Sequence, residues 1–250
     1  MNYIIEIATS DFLTTKSAVE GGADRIELCA NLAEGGTTPS YAHIKKCKES
    51  FSIPIFPIIR PRGGDFLYNK DEFEIMKNDI KLCKELGCEG IVIGLLNMDG
   101  TIDVTRTSEL IELAYPLEIT FHRAFDRCKD PFVALEELIE IGCQRILTSG
   151  QQPSVSSRES IVDSKAVELI AELNKIADNR IIIMPGSGVR KENIKILAER
   201  TGCVEFHSSL RGKAKSPMQF IHPAFANSEE SYSNNAISPD DVRALKNALL

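Results

Sequence analysis

Residues 141–148 read IGCQRILT and residues 201–208 read TGCVEFHS; the same turn recurs as GGADRIEL at 21–28 and LGCEGIVI at 86–93. In each copy a glycine closes a helical pattern, where a left-handed cap is wanted. An aliphatic, alternating run then starts within a few residues, as a strand does. Four copies of one helix-to-strand turn make a weak internal repeat, which predicts stacked strand–helix units.

Outward from these turns, the strand candidates are Tyr3–Ala8, Arg25–Ala30, Ile53–Arg60, Gly90–Leu96, Glu118–Arg123, Arg145–Ser149, Arg180–Pro185 and Cys203–Ser208. Helical patterns lie between them, around Ser17–Glu20 and at Ser40–Glu49, Asp71–Leu86, Val104–Tyr115, Pro131–Ile141, Lys165–Ala177 and Lys191–Arg200. Eight such units in a chain of 250 residues predict an α/β fold, a single TIM-type (β/α)8 barrel over residues 1–210. Residues 211–250 read as a C-terminal extension, rich in Ser and Asn to about Asn235 and ending in a helix near Ser238–Leu249. Pro239, Asp240 and Asp241 are the start signals of that helix. The extension is expected to pack on the barrel or on a neighbouring subunit.

A composition of 43% hydrophobic and 26% charged residues suits one well-packed domain. The net charge of -7 argues against a phosphate-backbone partner, so no nucleic acid is expected. No apolar run approaches the roughly 20 residues needed to span a bilayer. The opening MNYIIEIATSD also lacks a signal-peptide pattern. No membrane association and a cytoplasmic location are therefore expected. Seven cysteines with no CxxC pair make a disulfide framework the wrong reading.

Side chains alternate along a strand, so in a barrel one parity faces the helices and the other the axis. Ile5 and Ile7, Ile26 and Leu28, Ile119 and Phe121, and Val204 and Phe206 form the apolar parity. That turns Glu6, Ala8, Glu27, Cys29, Thr120, His122, Glu205 and His207 inward, with Arg60 in register with Phe56 and Ile58. Buried ions persist only when paired or when function needs them. This set therefore forms either an internal ion-pair network centred on Arg60 or part of a site. The catalytic candidates are Glu27, Arg60, His122, Arg123, Asp126 and His207. His122 suits general acid–base work because its ordinary pKa lies near neutrality, and Glu27 can share it.

Loops at the carboxyl ends of the strands add RPRGGDF at 60–66, LTSGQ at 147–151, MPGSGV at 184–189 and FHSS at 206–209. Glycines and hydroxyls after the seventh and eighth strands are where barrels commonly hold phosphate through backbone N–H groups. Arg62, Ser149, Gly186, Ser187, Gly188 and Ser208 are the anion-binding candidates. No Walker-type loop, haem motif or HExxH pattern occurs, so neither a nucleotide nor a flavin cofactor is implied.

The segments GGADRIELCANLAEGGTTPS (21–40), IRPRGGDFLY (59–68), TFHRAFD (120–126), RILTSG (145–150), IIIMPGSGV (181–189) and EFHSS (205–209), in this order, closely resemble the copper homeostasis protein CutC family. The resemblance implies a TIM barrel, a cytoplasmic homo-oligomer and a copper-binding, copper-homeostasis role. Cu(I) is soft and prefers two or more thiolates, or a thiolate with a thioether or imidazole. Cys29 matches a family cysteine and is the candidate metal ligand, alone or with His122, His207 or Cys128; where the family often has a second cysteine in the first strand, this chain has Ala8. Cys47, Cys83, Cys88, Cys143 and Cys203 fall on helices or at strand starts and read as buried apolar residues. The alternative from the residues themselves is a metal-independent lyase or isomerase acting on a small anionic, phosphorylated or sugar-like metabolite. The expected partner is accordingly a small anionic ligand or a copper ion.

Overall fold

The predicted strands form, but the second to sixth end one to three residues before the expected carboxyl ends, the seventh and eighth begin two residues late, and the first is shifted by one. The computed structural model describes residues 2–156, 161–225 and 232–250. The parallel strands are β1 (Ile4–Thr9), β2 (Arg25–Leu28), β3 (Ile55–Pro57), β4 (Gly90–Ile93), β5 (Glu118–Phe121), β6 (Arg145–Thr148), β7 (Ile182–Pro185) and β8 (Glu205–Ser208). Alternating with them are α1 (Phe12–Glu20), α2 (Tyr41–Ser50), α3 (Lys70–Glu85), α4 (Val104–Ala114), α5 (Pro131–Glu140), α6 (Ser164–Ala177) and α7 (Ile194–Thr201). The four repeated turns share one backbone device: Gly22, Gly87, Gly142 and Gly202 all have positive φ, a conformation that a Cβ disfavours.

Two four-stranded arcs, β3-β2-β1-β8 and β4-β5-β6-β7, make up the barrel wall. One parallel bridge, Ile58 to Val92, joins them on one side; on the other, β7 and β8 lie side by side with no ladder among the described residues. The register sets Glu6 beside Arg25 and Ala8 beside Glu27, and on the other flank Glu6 beside His207. The large apolar core, including Ile5, Ile7, Ile26, Leu28, Phe121 and Phe206, lies between strands and helices. Cys29, Phe56, Ile58 and Val92 form a separate small cluster. Burying the main core supplies most of the folding drive, since apolar burial is worth about 25 cal/mol per Å².

Helix α7 begins three residues later than the pattern suggests. Asn193 accepts from the Arg190 N–H and donates to the Gly188 carbonyl, which holds residues 190–193 in a turn before the helix starts. Beyond the barrel, β9 (Gly212–Lys215) and β10 (Ser233–Ala236) form an antiparallel hairpin, followed by α8 (Pro239–Asn247). Part of the Ser/Asn-rich stretch, 226–231, lies outside the described residues. The α8 helix docks on the end of α1, where Arg243 donates to the Glu20 carbonyl and Lys246 meets Asp24 at 2.6 Å.

Candidate functional site

The inward parity of β1, β2, β6 and β8 carries a continuous ion-pair chain along the barrel axis. Glu27 Oε2 lies 3.7 Å from His207 Nε2, and His207 Nδ1 is 2.7 Å from Glu6 Oε1. Arg25 then bridges Glu6 at 2.5 Å and Glu205 at 2.6 Å. Arg145 continues from Glu205 at 2.8 Å to Glu118 at 2.5 Å on the opposite rim. Both guanidinium groups flank the Phe56 ring, 5.1 and 5.5 Å from its centroid, a favourable cation–π position.

The network is therefore centred on Arg25 and Arg145 and not, as expected, on Arg60. Arg60 stands past the end of β3, where its neighbours are loop carbonyls: it donates to Glu34 O, Gly36 O and Gly64 O. There it ties two loops together. The sequence contained the signal for Arg25, which shares parity with Glu27, and for Arg145 on β6.

Glu6, His207 and Glu27 are each shifted by their surroundings. Burial works to raise the Glu6 pKa, but the Arg25 charge and the His207 hydrogen bond outweigh it and bring it down to about 2. Burial likewise opposes protonation of His207, and the Glu6 hydrogen bond with the Glu27 and Glu6 charges reverses the sign, so its pKa is raised. Glu27 is raised too, by burial first and by the Glu6 charge, against the attraction of His207. Both shifts favour the protonated forms, and the two groups, 3.7 Å apart, titrate as a coupled pair.

Above this pair opens a cavity of about 890 Å³, lined by Ala8, Glu27, Arg60, His122, Arg123, Asp126, Ser187, Gly188 and His207 among the expected residues. Its lining also includes Phe66, Arg127, Arg190, Arg211 and Gln152, which sequence reasoning missed because loops carry no periodicity that marks a facing direction. Arg123 donates to Asp126 Oδ2 at 2.7 Å and to Ser149 Oγ at 2.7 Å. Asp126 in turn accepts from Thr148 Oγ1, the Ser149 and Gln151 N–H groups and Ser149 Oγ. This hub shapes the loop after β6.

Four of the expected anion-binding residues are absent from that lining. Arg62 is held by Glu72 at 2.6 Å and Asp65 at 3.0 Å, at the capped start of α3. Ser149 is spent on Arg123 and Asp126, and Ser208 donates to the Val189 carbonyl. Gly186 packs under Leu147 and His207, where a Cβ would come within 2.4 Å of Leu147 Cδ1.

His122 departs from its expected acid–base character. Burial first, and the Arg60 charge second, lower its pKa to about 3, so it is neutral across the physiological range. Cys29 is fully buried among Phe56, Ile58 and Val92, beneath the Gly36 turn, and is absent from the cavity lining. Burial and the neighbouring Glu27 carboxylate push its thiol well above the usual range, which disfavours the thiolate that Cu(I) requires. Cys128 sits on the loop after β5 beside Gln151. Among the described residues, no three His, Cys, Asp or Glu side chains are grouped to hold a metal. This donor set does not fit a copper centre.

A sequence profile described as the CutC family matches residues 3–212. The chain is 54% identical over 221 residues to a CutC family protein of Parabacteroides distasonis, covering 88% of each. To a protein named copper homeostasis protein cutC homolog from Homo sapiens it is 44% identical over 227 residues, covering 90% of this chain and 79% of the relative. A crystal structure of CutC from Streptococcus agalactiae superposes with a TM-score of 0.76 at 33% identity, covering 83% of this chain and 98% of that one.

Proposed function

Because the chain belongs to the CutC family, we propose that it takes part in copper homeostasis, as its human relative is named, through a barrel-mouth cavity that binds a small organic anion. The observation that carries this reading is the cavity itself: five arginines, Arg60, Arg123, Arg127, Arg190 and Arg211, line a space whose floor is the Glu27–His207 pair. Cationic walls in a recess favour an anion, and the Glu27 carboxyl beside the His207 imidazole at the floor places two proton-exchanging groups within one site. Glu27 is the proton acceptor and donor toward the ligand, His207 its partner, and Glu6 orients His207. Arg123 and Asp126 are positioning residues for the rim, and Ser187 and Gly188 border the entrance. A lyase or isomerase step by proton transfer is the chemistry this set can perform.

Direct capture of Cu(I) by Cys29 is the competing reading, motivated by the family's name rather than by the donor set. Seven free cysteines, all buried, suit a reducing cytoplasm. No helix of the described residues is long and apolar enough to cross a membrane. The exposed side chains of Met218 and Phe220 on the extension are consistent with assembly into a homo-oligomer.

The reading is tested by a thermal-shift panel of small phosphorylated and carboxylated metabolites on the wild type and on Arg190→Gln/Arg211→Gln. A ligand at a hundredfold excess over its Kd stabilises by about 2.7 kcal/mol, on the order of 5–10 °C in Tm for a chain of this size. The rim variant should lose that gain. A panel in which no anion moves the wild-type Tm removes the proposal.

A further inference from the structure

Two residues that line the cavity each carry a buried side-chain nitrogen without a hydrogen-bond partner. Arg60 is 3% exposed and His122 4%, both border the same space, and the unpartnered atoms are Arg60 Nε and His122 Nε2. The Ala124 N–H donates to His122 Nδ1 at 3.1 Å, so Nδ1 is the bare nitrogen and the neutral ring carries its hydrogen on Nε2. The two groups share a platform: the Phe66 ring lies 4.8 Å from the imidazole centroid and 5.0 Å from Arg60 Cζ. The Tyr68 hydroxyl stands near the guanidinium but outside hydrogen-bond geometry with it. Among the described residues no carboxylate pairs with Arg60, whose Nη1 and Nη2 donate to three loop carbonyls.

A buried cation without a counter-charge and a buried N–H without an acceptor are each costly, and one bound group relieves both. We infer that Arg60 Nε and His122 Nε2–H form a subsite for the carboxylate of a small organic acid. Two unpartnered nitrogens and one unit of uncompensated charge match a carboxylate; a phosphate dianion presents three oxygens and wants more of each. The inference rests on the anion-binding reading above and narrows it. It assigns His122 as a fixed donor and leaves proton transfer to Glu27 and His207.

Gly94 makes the arrangement possible. A Cβ on Gly94 would fall 2.3 Å from both Nδ1 and Cε1 of His122, so the ring lies flat on the backbone that follows β4. Because φ at Gly94 lies outside the left-handed region, alanine is tolerated by the backbone and opposed chiefly by the imidazole, with the Ala124 Cβ next at 3.0 Å. Gly94 is thus a positioning residue, and Gly94→Ala displaces the donor without touching any charge.

The test is titration of the full chain, 15N-labelled at histidine, with malonate, pyruvate and inorganic phosphate, observing the His122 ring by NMR. At least one carboxylate should move the Nε2–H resonance saturably while Nδ1 stays unprotonated. His122→Phe and Gly94→Ala should each weaken that carboxylate about tenfold to a hundredfold, the value of one hydrogen bond to a charged group. Arg60→Lys should weaken it similarly if its loops hold, and the Gly94 variant decides the matter if they do not. Unchanged carboxylate affinity in His122→Phe and Gly94→Ala overturns the subsite and leaves anion binding at the mouth intact, as does saturable binding of phosphate alone. Failure of all three anions to bind the wild type removes both.

Discussion

Arg25→Met is the substitution the barrel should tolerate least. Arg25 Nε and Nη2 meet Glu6 at 2.5 Å and Glu205 at 2.6 Å, and the guanidinium covers the Phe56 ring. Methionine keeps much of the side chain's apolar length and deletes the charge. Glu205 retains Arg145, whereas Glu6, which has no exposed surface, is left with His207. Breaking a buried pair by removing one partner costs about 3–5 kcal/mol. A second route gives a similar figure. The Glu6 pKa falls from 4.5 to about 2, and at about 1.4 kcal/mol for each pH unit this corresponds to about 3 kcal/mol. Burial opposes that drop, and the Arg25 charge is the largest of the effects that produce it. Since the folded pKa lies below the unfolded one, this contribution is complete above about pH 4.5 and disappears as the pH falls toward 2. Urea unfolding followed by circular dichroism should therefore show Arg25→Met destabilised by about 3–5 kcal/mol at pH 7. The gap between variant and wild type should narrow as the pH is lowered through the same window. A variant within about 1 kcal/mol of wild type at pH 7 would refute the reasoning, because it would mean that Glu6 needs no cation.

Asp126→Ala strips the acceptor from Thr148, Ser149, Gln151 and Arg123. It should cost about 2–3 kcal/mol in the same unfolding assay and abolish whatever thermal shift the best anion gives; a full ligand response in that variant would show the hub to be dispensable. Cys29→Ala should leave Cu(I) affinity unchanged in competition with a chromophoric chelator. A tenfold or greater loss would restore Cys29 as a copper ligand.

The fold was legible because its two determinants are local. A glycine cap at each repeated turn and strict parity along each strand need no knowledge of partners, and they located Glu6, Glu27, Glu205 and His207 on one axis. The departures at the site concern side chains whose partners lie outside their own strand or turn pattern. Arg60 reads as an ion-pair centre until the loops at 34–36 and 64 present carbonyls to it. His122 reads as an acid–base residue until burial and Arg60 make it neutral. Arg62 reads as an anion ligand until the start of α3 brings Glu72 against it. Ser208 shows the same effect on a smaller scale: its hydroxyl is committed to the Val189 carbonyl, an acceptor 19 residues away.

The division of the barrel into two arcs bears on how the chain acquires its shape during synthesis. Strands β4 to β7 are consecutive, so residues 90–185 can zip up as soon as they leave the ribosome. In the other arc β1, β2 and β3 are consecutive too, but the second flank of β1 stays unpaired until β8, at Glu205–Ser208, has been made. Such long-range closure is slow. The exposed flank of β1 is therefore the edge most in need of protection in a nascent chain, and the last strand of the barrel is the one that seals it.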